Sequence, residues 1–388
     1  MSVDLILLSI SLFTWGIGEG MFIYFQPIYL QQLGANTMTI ASIFSLFGLA
    51  MMITHIPAGY LSDHIGRKPL LVAAWAAGVL ATGVMALART LPLFTVGMLL
   101  YGFTGFVSSP MNSYITAARG KLSPVRVMTL VSAAYNLGAM LGPVSGGWIG
   151  ERSGLRSVYF VAAGIFSLST VILLFLHPQS REIHDPAAPP EKLWKNTHFV
   201  SFLGIIFVAM FVMYLPQPLT PRFLQNERSL SLESIGLLGS IGNLGNSALA
   251  LVLGQFAART GFLLAQASVA VFSVLLWKGT GLAWYALGFF ILGGYRSARS
   301  LIFAQVRPLI HSAQMGLAYG VAETFNSLAI MLAPLLAGVL YTQEPGRVYW
   351  VSAGLIVVMV ILSEFFAPRV AGGSAPVPVI DREESREN

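Results

Sequence analysis

Apolar residues in this chain run in long unbroken blocks, not in the spaced stripes of a soluble amphipathic helix. A helix rises about 1.5 Å per residue, so about 20 apolar residues cross the ~30 Å hydrocarbon core of a bilayer. Twelve blocks fit that length. The first six are Leu5–Leu30, Met38–Tyr60, Pro69–Ala88, Leu91–Ile115, Arg126–Ile149 and Leu155–Leu176. The second six are His198–Arg222, Leu232–Ala257, Phe262–Thr280, Ala283–Val306, Met315–Tyr341 and Tyr349–Ala367. The pattern predicts an all-α membrane protein with twelve transmembrane helices. A stretch rich in proline and charge, His177–Lys195, separates the two sets and reads as a linker. The expected organisation is a six-helix bundle over 1–176, a linker over 177–197 and a second six-helix bundle over 198–368. Residues 369–388 are polar without an apolar period, so a disordered tail is expected there.

The two sets read as copies. Pro27-Ile28-Tyr29-Leu30-Gln31 is echoed by Pro221-Arg222-Phe223-Leu224-Gln225. Gly59 and Gly66 are echoed by Gly254 and Gly261, and Pro143 by Pro334, all at offsets of 191–195 residues. Matches at nearly one offset, close to half the chain, predict two pseudo-symmetric six-helix bundles. Composition agrees: 55% of residues are hydrophobic and 10% charged, against about 25% charged in a soluble domain.

The net charge of +6 bears on topology, not on nucleic acid, because the basic residues sit in short loops. With both termini placed in the cytoplasm, inner loops and tail hold thirteen Lys and Arg against seven outside. Arg296 and Arg299 lie within a span and complete the 22. The first block begins without a basic leader and is too long for a signal-peptide core, so it reads as a retained span. The chain has no cysteine, and its six histidines have no metal-ligand spacing, so neither a metal site nor a cofactor is expected.

Between the second and third blocks stands Gly59-Tyr60-Leu61-Ser62-Asp63-His64-Ile65-Gly66-Arg67-Lys68. In the fifth block stands Gly138-Ala139-Met140-Leu141-Gly142-Pro143-Val144-Ser145-Gly146-Gly147. The first resembles the loop signature of the major facilitator superfamily, and the second resembles the span-five motif of that family's antiporters. The resemblance covers Leu5 to Ala367 and implies alternating access by two rocking halves. It implies that Gly59, Asp63, Gly66, Arg67 and Lys68 form a conformational latch, with Asp63 facing the N-terminal dipole of span eleven near Gly316. Gly138, Gly142 and Gly146 recur every four residues on one face and suit close helix approach, while Pro143 bends the helix and Gly147 completes the motif. One position departs from the pattern. Met98 stands where the family's proton-coupled drug exporters often carry arginine in span four.

Ionisable residues inside spans mark function by default. Four stand out: Glu19, Arg296, Arg299 and Glu323, whereas His55 reads as a packing residue. Arg299 and Glu323 come at matching depths in consecutive spans and are expected to form a structural ion pair. Trp15, Glu19, Phe22 and Gln26 follow spacings of four, three and four on one face of span one. Tyr101, Ser108 and Asn112 mark a stripe in span four, and Tyr214 and Gln217 one in span seven. The resemblance implies that spans one, four, seven and ten surround a central cavity. Trp15, Glu19, Phe22, Gln26, Tyr101, Asn112, Tyr214, Gln217, Asn243 and Arg296 are therefore the expected substrate cavity. Asn136, Asn246 and Asn326 are candidate additions to its wall. Glu19, the lone acid deep in the first six spans, is the candidate for proton coupling.

The chain has no nucleoside-triphosphate-binding loop and no nucleophile–base pair, which argues against an ATP-driven pump and against an enzyme. The expected function is secondary active transport of a small, partly apolar molecule, as proton-coupled antiport and efflux. Uptake or symport of an anionic nutrient held by Arg296 is the alternative. A non-transporting receptor or scaffold of the same fold is a third reading. The expected partners are substrate, protons and membrane lipids, with no nucleic acid. The expected setting is a monomer in a prokaryotic plasma membrane.

Overall fold

A computed structural model describes residues 2–120, 122, 124–179, 193–310 and 315–366. The first half comprises α1 (Val3–Ile23), α2 (Gln26–Gln32), α3 (Thr37–Ile65), α4 (Arg67–Leu87), α5 (Leu91–Phe103), α6 (Ser108–Ala117), α7 (Pro124–Ser153) and α8 (Leu155–Leu174). The second half comprises α9 (Thr197–Tyr214), α10 (Thr220–Arg228), α11 (Leu232–Leu253), α12 (Ala258–Lys278), α13 (Leu282–Leu292), α14 (Gly294–Val306), α15 (Met315–Gln343) and α16 (Arg347–Phe366). Lipid offers no hydrogen bonds to an open backbone, so helices are the expected solution for such apolar runs. Among the described residues, eleven helical stretches are long and apolar enough to cross a membrane. The twelfth pass is Leu282–Val306, which breaks at Gly293 between α13 and α14. A membrane bundle of twelve passes results.

The repeat extends to the breaks. The first and seventh passes each divide into a long and a short helix, and Pro27 and Pro221 occupy the first turn of the short ones. Proline fits there because the first-turn N–H needs no helical partner. The fourth and tenth passes break as well, the fourth through a 3₁₀ turn at Thr104–Val107. Side-chain caps finish several helix starts: the Asn196 carboxamide accepts from Phe199 N at 3.0 Å, and Ser231 Oγ accepts from Ser234 N at 3.2 Å.

Within the first half, α1 packs on α7 and α8, and α4 on α5 and α8. Within the second, α12 packs on α13, α14 and α16, and α9 on α15 and α16. The halves meet along α3–α15 and α7–α11. Small residues govern these approaches. A methyl group added at Gly138, Gly142 or Gly146 would strike the backbone of α1 at Phe13, Ile17 or Met21. One position further round α7, Gly147 lies on the backbone of Leu232 and Glu233, and Gly236 of α11 lies on that of Pro143. The motif therefore serves two neighbours, α1 in its own half and α11 across the seam.

At the end of the bundle opposite Val3, polar contacts join the halves. Arg222 donates to Gln31 Oε1 at 2.8 Å and to Thr37 Oγ1 at 2.5 Å. Asn226 donates to the same Gln31 oxygen at 3.1 Å. Leu232 N, at the start of α11, donates to Glu151 Oε2 at 2.7 Å, and Arg152 pairs with Glu233 at 3.5 Å. A carboxylate on a helix N-terminus also gains from the helix dipole. These contacts clasp the two halves together at this end.

The glycine face of α7 makes the first prediction. Gly142→Val should lower stability by about 1–3 kcal/mol or prevent assembly, since neither backbone has room to retreat. Gly164→Ala, with nothing within 4 Å of the new methyl, should leave the unfolding temperature unchanged or raised. Thermal unfolding of both variants in detergent is the measurement, and equal behaviour would remove the close-approach argument.

Candidate functional site

The helix breaks create the main cavity. It encloses about 220 Å³, and its wall includes Tyr24, Gln26 and Pro27 at the α1–α2 break. Tyr214, Gln217, Pro218 and Thr220 line it from the α9–α10 break, and Gly293, Tyr295 and Arg296 from the α13–α14 break. Asn243 and Asn246 of α11 and the rings of Phe44, Phe47, Phe272 and Phe289 complete it. A break at mid-membrane is tolerated where it lines a cavity, because freed backbone groups then find side chains or water. Gln217 Nε2 donates to Met213 O at 2.7 Å, and Thr220 Oγ1 donates to Pro216 O at 2.5 Å, which satisfies carbonyls near the α9–α10 break.

Of the expected cavity residues, Gln26, Tyr214, Gln217, Asn243 and Arg296 line the space, and Asn246 joins them. The others lie off this wall. Trp15 stacks on Phe166 at 4.0 Å between ring centroids and tilts against Trp75 at 4.8 Å. Phe22 meets Tyr101 edge-on at 5.4 Å and Tyr159 at 5.5 Å. Trp15, Phe22 and Tyr101 thus pack in an aromatic core inside the first half. Asn112 is exposed on α6, away from the cavity wall. Ser108, Asn136 and Asn326 also lie outside the wall.

Glu19 stands beside the wall and not in it. It is half-buried, and Tyr135 of α7 donates its hydroxyl to Glu19 Oε2 at 2.8 Å. Arg296 interacts electrostatically with Tyr24, Tyr135, Glu19 and Tyr295. Among the described residues it is the one charged side chain in the cavity wall, and it is open to that space. Sequence reasoning missed Tyr135 and Tyr24. Tyr24 sits at the break itself, its ring lies over Gly239, and its ring centroid is 6.5 Å from that of Phe289 across the seam. Its place three residues before Pro27 is the signal that marks the break.

Arg299 pairs with Glu323 through Nε and Oε1, and Asn326 Nδ2 reaches Glu323 Oε2 at 3.4 Å. Arg299 is 47% exposed and Glu323 12%, so the protein encloses the pair only in part. At the expected latch, Gly66 takes φ +88°, which turns α3 into α4. Arg67 donates to Gln179 Oε1 at 3.0 Å, and Lys68 donates to Leu174 O at 3.1 Å. The side chains of Asp63 and His55, and Gly59 in the same stretch, lie outside the described residues, as do the side of Gly316 and the tail. Met98 is fully buried.

Two pseudo-symmetric half-bundles that enclose a cavity at their helix breaks define a multi-pass membrane transporter, not an enzyme. The chain belongs to the Major Facilitator Superfamily, whose sequence profile matches residues 8–306. It is 23% identical to a tetracycline resistance protein, class H, of Pasteurella multocida, over 80% of this chain and 82% of that one. It is 26% identical to the multi-drug resistance efflux pump PmrA of Streptococcus pneumoniae, over 63% of this chain and 68% of the pump. An uncharacterised transporter of the same type from Methanocaldococcus jannaschii is 30% identical, over 42% of each chain. In fold, the chain is similar to a crystal structure of the nucleoside transporter NupG, with a TM-score of 0.76 at 14% identity, covering 94% of this chain and 99% of that one.

The geometry makes two predictions. A double-mutant cycle on Arg299→Ala and Glu323→Ala should give a coupling of about 1–2 kcal/mol, between the values for exposed and buried pairs. Additive losses in thermal stability would mean the pair contributes nothing as a pair. Glu151→Gln should loosen the far end, because the carboxylate on Leu232 N loses its charge. The absence of native cysteine allows spin labels at Arg89→Cys and Glu344→Cys alone. Their distance distribution should gain a longer component, and an unchanged distribution would show that Glu151 does not hold the seam.

Proposed function

We propose that this transporter exports a small, partly apolar compound in exchange for protons, with Glu19 as the proton carrier. The observation that carries the reading is the charge arrangement at the cavity. An aromatic and amide wall holds one cation, Arg296, and the nearest acid, Glu19, is half-buried and bonded to Tyr135 within Coulombic reach of it. Glu19 takes a proton when the cavity faces outward. It gives the proton up when the cavity faces the cytoplasm. Relatives named for tetracycline resistance and multidrug efflux support export over uptake of an anionic nutrient.

Both termini lie in the cytoplasm in this reading, since basic residues concentrate in the loops on that side. The clasped far end then faces outward. The transporter works as a monomer surrounded by the lipids of a prokaryotic plasma membrane. The halves rock about the seam, and the loop from Gly59 to Lys68 latches the cytoplasmic side through Asp63.

Glu19→Gln keeps the shape and hydrogen bonding of the side chain but cannot titrate. In proteoliposomes with an imposed pH gradient, tested with tetracycline and a panel of neutral aromatic compounds, wild type should concentrate at least one compound. Glu19→Gln should bind and exchange that compound without a gradient yet fail to concentrate it. Normal gradient-driven accumulation by the variant would eliminate Glu19 as the coupling residue.

A further inference from the structure

Three nitrogen-bearing side chains in the cavity wall make no hydrogen bond to a described residue. Gln26 is 2% exposed and Asn246 9%, both line the cavity, and neither side chain hydrogen-bonds to a described residue. Arg296 opens into the same space without a hydrogen bond or ion pair to a described residue. Each can donate: a guanidinium carries five N–H groups and no acceptor, and a carboxamide carries two N–H groups beside one accepting oxygen, so Arg296 alone is bound to seek an acceptor. Their neighbours on the wall are already engaged. Asn243 Nδ2 donates to Ala139 O at 2.6 Å, and Gln217 Nε2 to Met213 O at 2.7 Å. Gln26 and Asn246 are buried among protein and meet the cavity, and Arg296 opens into it, so the wall offers these polar groups to whatever occupies the space.

The rest of the wall constrains the body of that ligand. Phe44 and Phe47 from the first half face Phe272 and Phe289 from the second, with Tyr24 and Tyr214 beside them. Rings on opposing walls suit a flat apolar body, and a space of about 220 Å³ holds a compact one. A cationic ligand would have to enter beside Arg296, and like charges in a poorly hydrated cavity repel strongly.

We infer that the cavity is built for a compact aromatic compound that is not a cation and whose oxygen acceptors face Arg296, Gln26 and Asn246. This deepens the export reading by naming a substrate class, and it separates this cavity from one made for cationic compounds. The acceptor is a carbonyl or a carboxylate, and both take the same donors. The two differ in consequence. A neutral carbonyl leaves Arg296 free to act on Glu19 and suits exchange against protons. A carboxylate neutralises Arg296 and favours proton and substrate travelling together.

The test is binding to purified protein in detergent, without a gradient, so that its outcome is independent of transport. Two matched sets serve as probes: benzoate, benzamide and benzylammonium; then indole-3-acetate, indole-3-acetamide and tryptamine. Thermal shift and calorimetric titration should show that, in at least one set, both oxygen-bearing members bind on the order of tenfold or more tighter than the amine. Arg296→Gln should erase that margin. Arg296→Lys, which keeps the charge but loses the fork, and Gln26→Leu should each narrow it, so the test survives if Arg296→Gln does not assemble. Tighter binding of the acid than of the amide keeps the inference and counts against proton exchange. An amine that matches the oxygen-bearing members in both sets, or no binding by any of the six, overturns it.

Discussion

The structure depends on how closely the α7 backbone approaches two neighbours at once. Lipid tails are as apolar as side chains, so nothing like the hydrophobic effect in water drives helices together inside a bilayer. Packing contact must do that, and it strengthens as backbones draw near. Gly138, Gly142 and Gly146 bring α7 onto α1, where Gly16 and Gly20 give matching room. Pro143 and Gly147 lie about 100° further round the helix and bring it onto α11 at Gly236. One face binds α7 firmly within its half. The other makes the seam between halves, backed at its far end by Glu151 on the start of α11. This seam joins small residues along its length and charged contacts at its far end, where Arg152 also pairs with Glu233, and α3–α15 forms the second seam.

The cavity follows from interrupting helices where these contacts allow it. Breaking a helix in mid-membrane releases backbone groups that lipid cannot satisfy. The α9–α10 break meets this with its own side chains, since Gln217 and Thr220 return hydrogen bonds to carbonyls one turn earlier. The α13–α14 break has Gly293 pressed against the backbone of Gly245 and Asn246. That closeness places Arg296 of α14 and Asn246 of α11 on one wall. The breaks supply Gln26, Gln217 and Arg296 together with the rings of Tyr24, Tyr214 and Tyr295, and the uninterrupted α11 adds Asn243 and Asn246.

Much of this was legible in the sequence. A bilayer demands continuous apolar runs, so span number, the two halves and the positions of Pro27, Pro221 and Gly66 could be read directly. The break at Gly293 could not, because the tenth run stays apolar enough before it, and Arg296 read as a cavity residue and Arg299 as an ion-pair partner within one straight helix. Helical spacing put Trp15, Glu19, Phe22 and Gln26 on one face, yet only Gln26 reaches the cavity. Spacing gives angles within a helix but not which neighbour each face meets. Below Ile23 the face of α1 meets Phe166 and Tyr159 of its own half; beyond it the helix breaks and Gln26 turns to the seam. Tyr135 was missed for a similar reason: its contact with Glu19 joins residues 116 positions apart.

Glu19 and Tyr135 belong to the first half, while Arg296 and both cavity asparagines belong to the second. Any rocking about the α7–α11 seam therefore changes the separation of Glu19 from Arg296 without moving either within its own half. At an effective dielectric of about 20, opposite unit charges attract by about 4 kcal/mol at 4 Å and by about half that at twice the distance. A shift of a few ångströms is worth on the order of 1–2 kcal/mol, enough to change populations roughly tenfold. Conversely, whatever neutralises either charge changes the preferred separation of the halves by the same amount. A ligand acceptor on Arg296 and a proton on Glu19 are two ways of doing so. Placing the acid and the base on opposite halves is thus sufficient to make charge at the cavity and the state of the seam depend on each other.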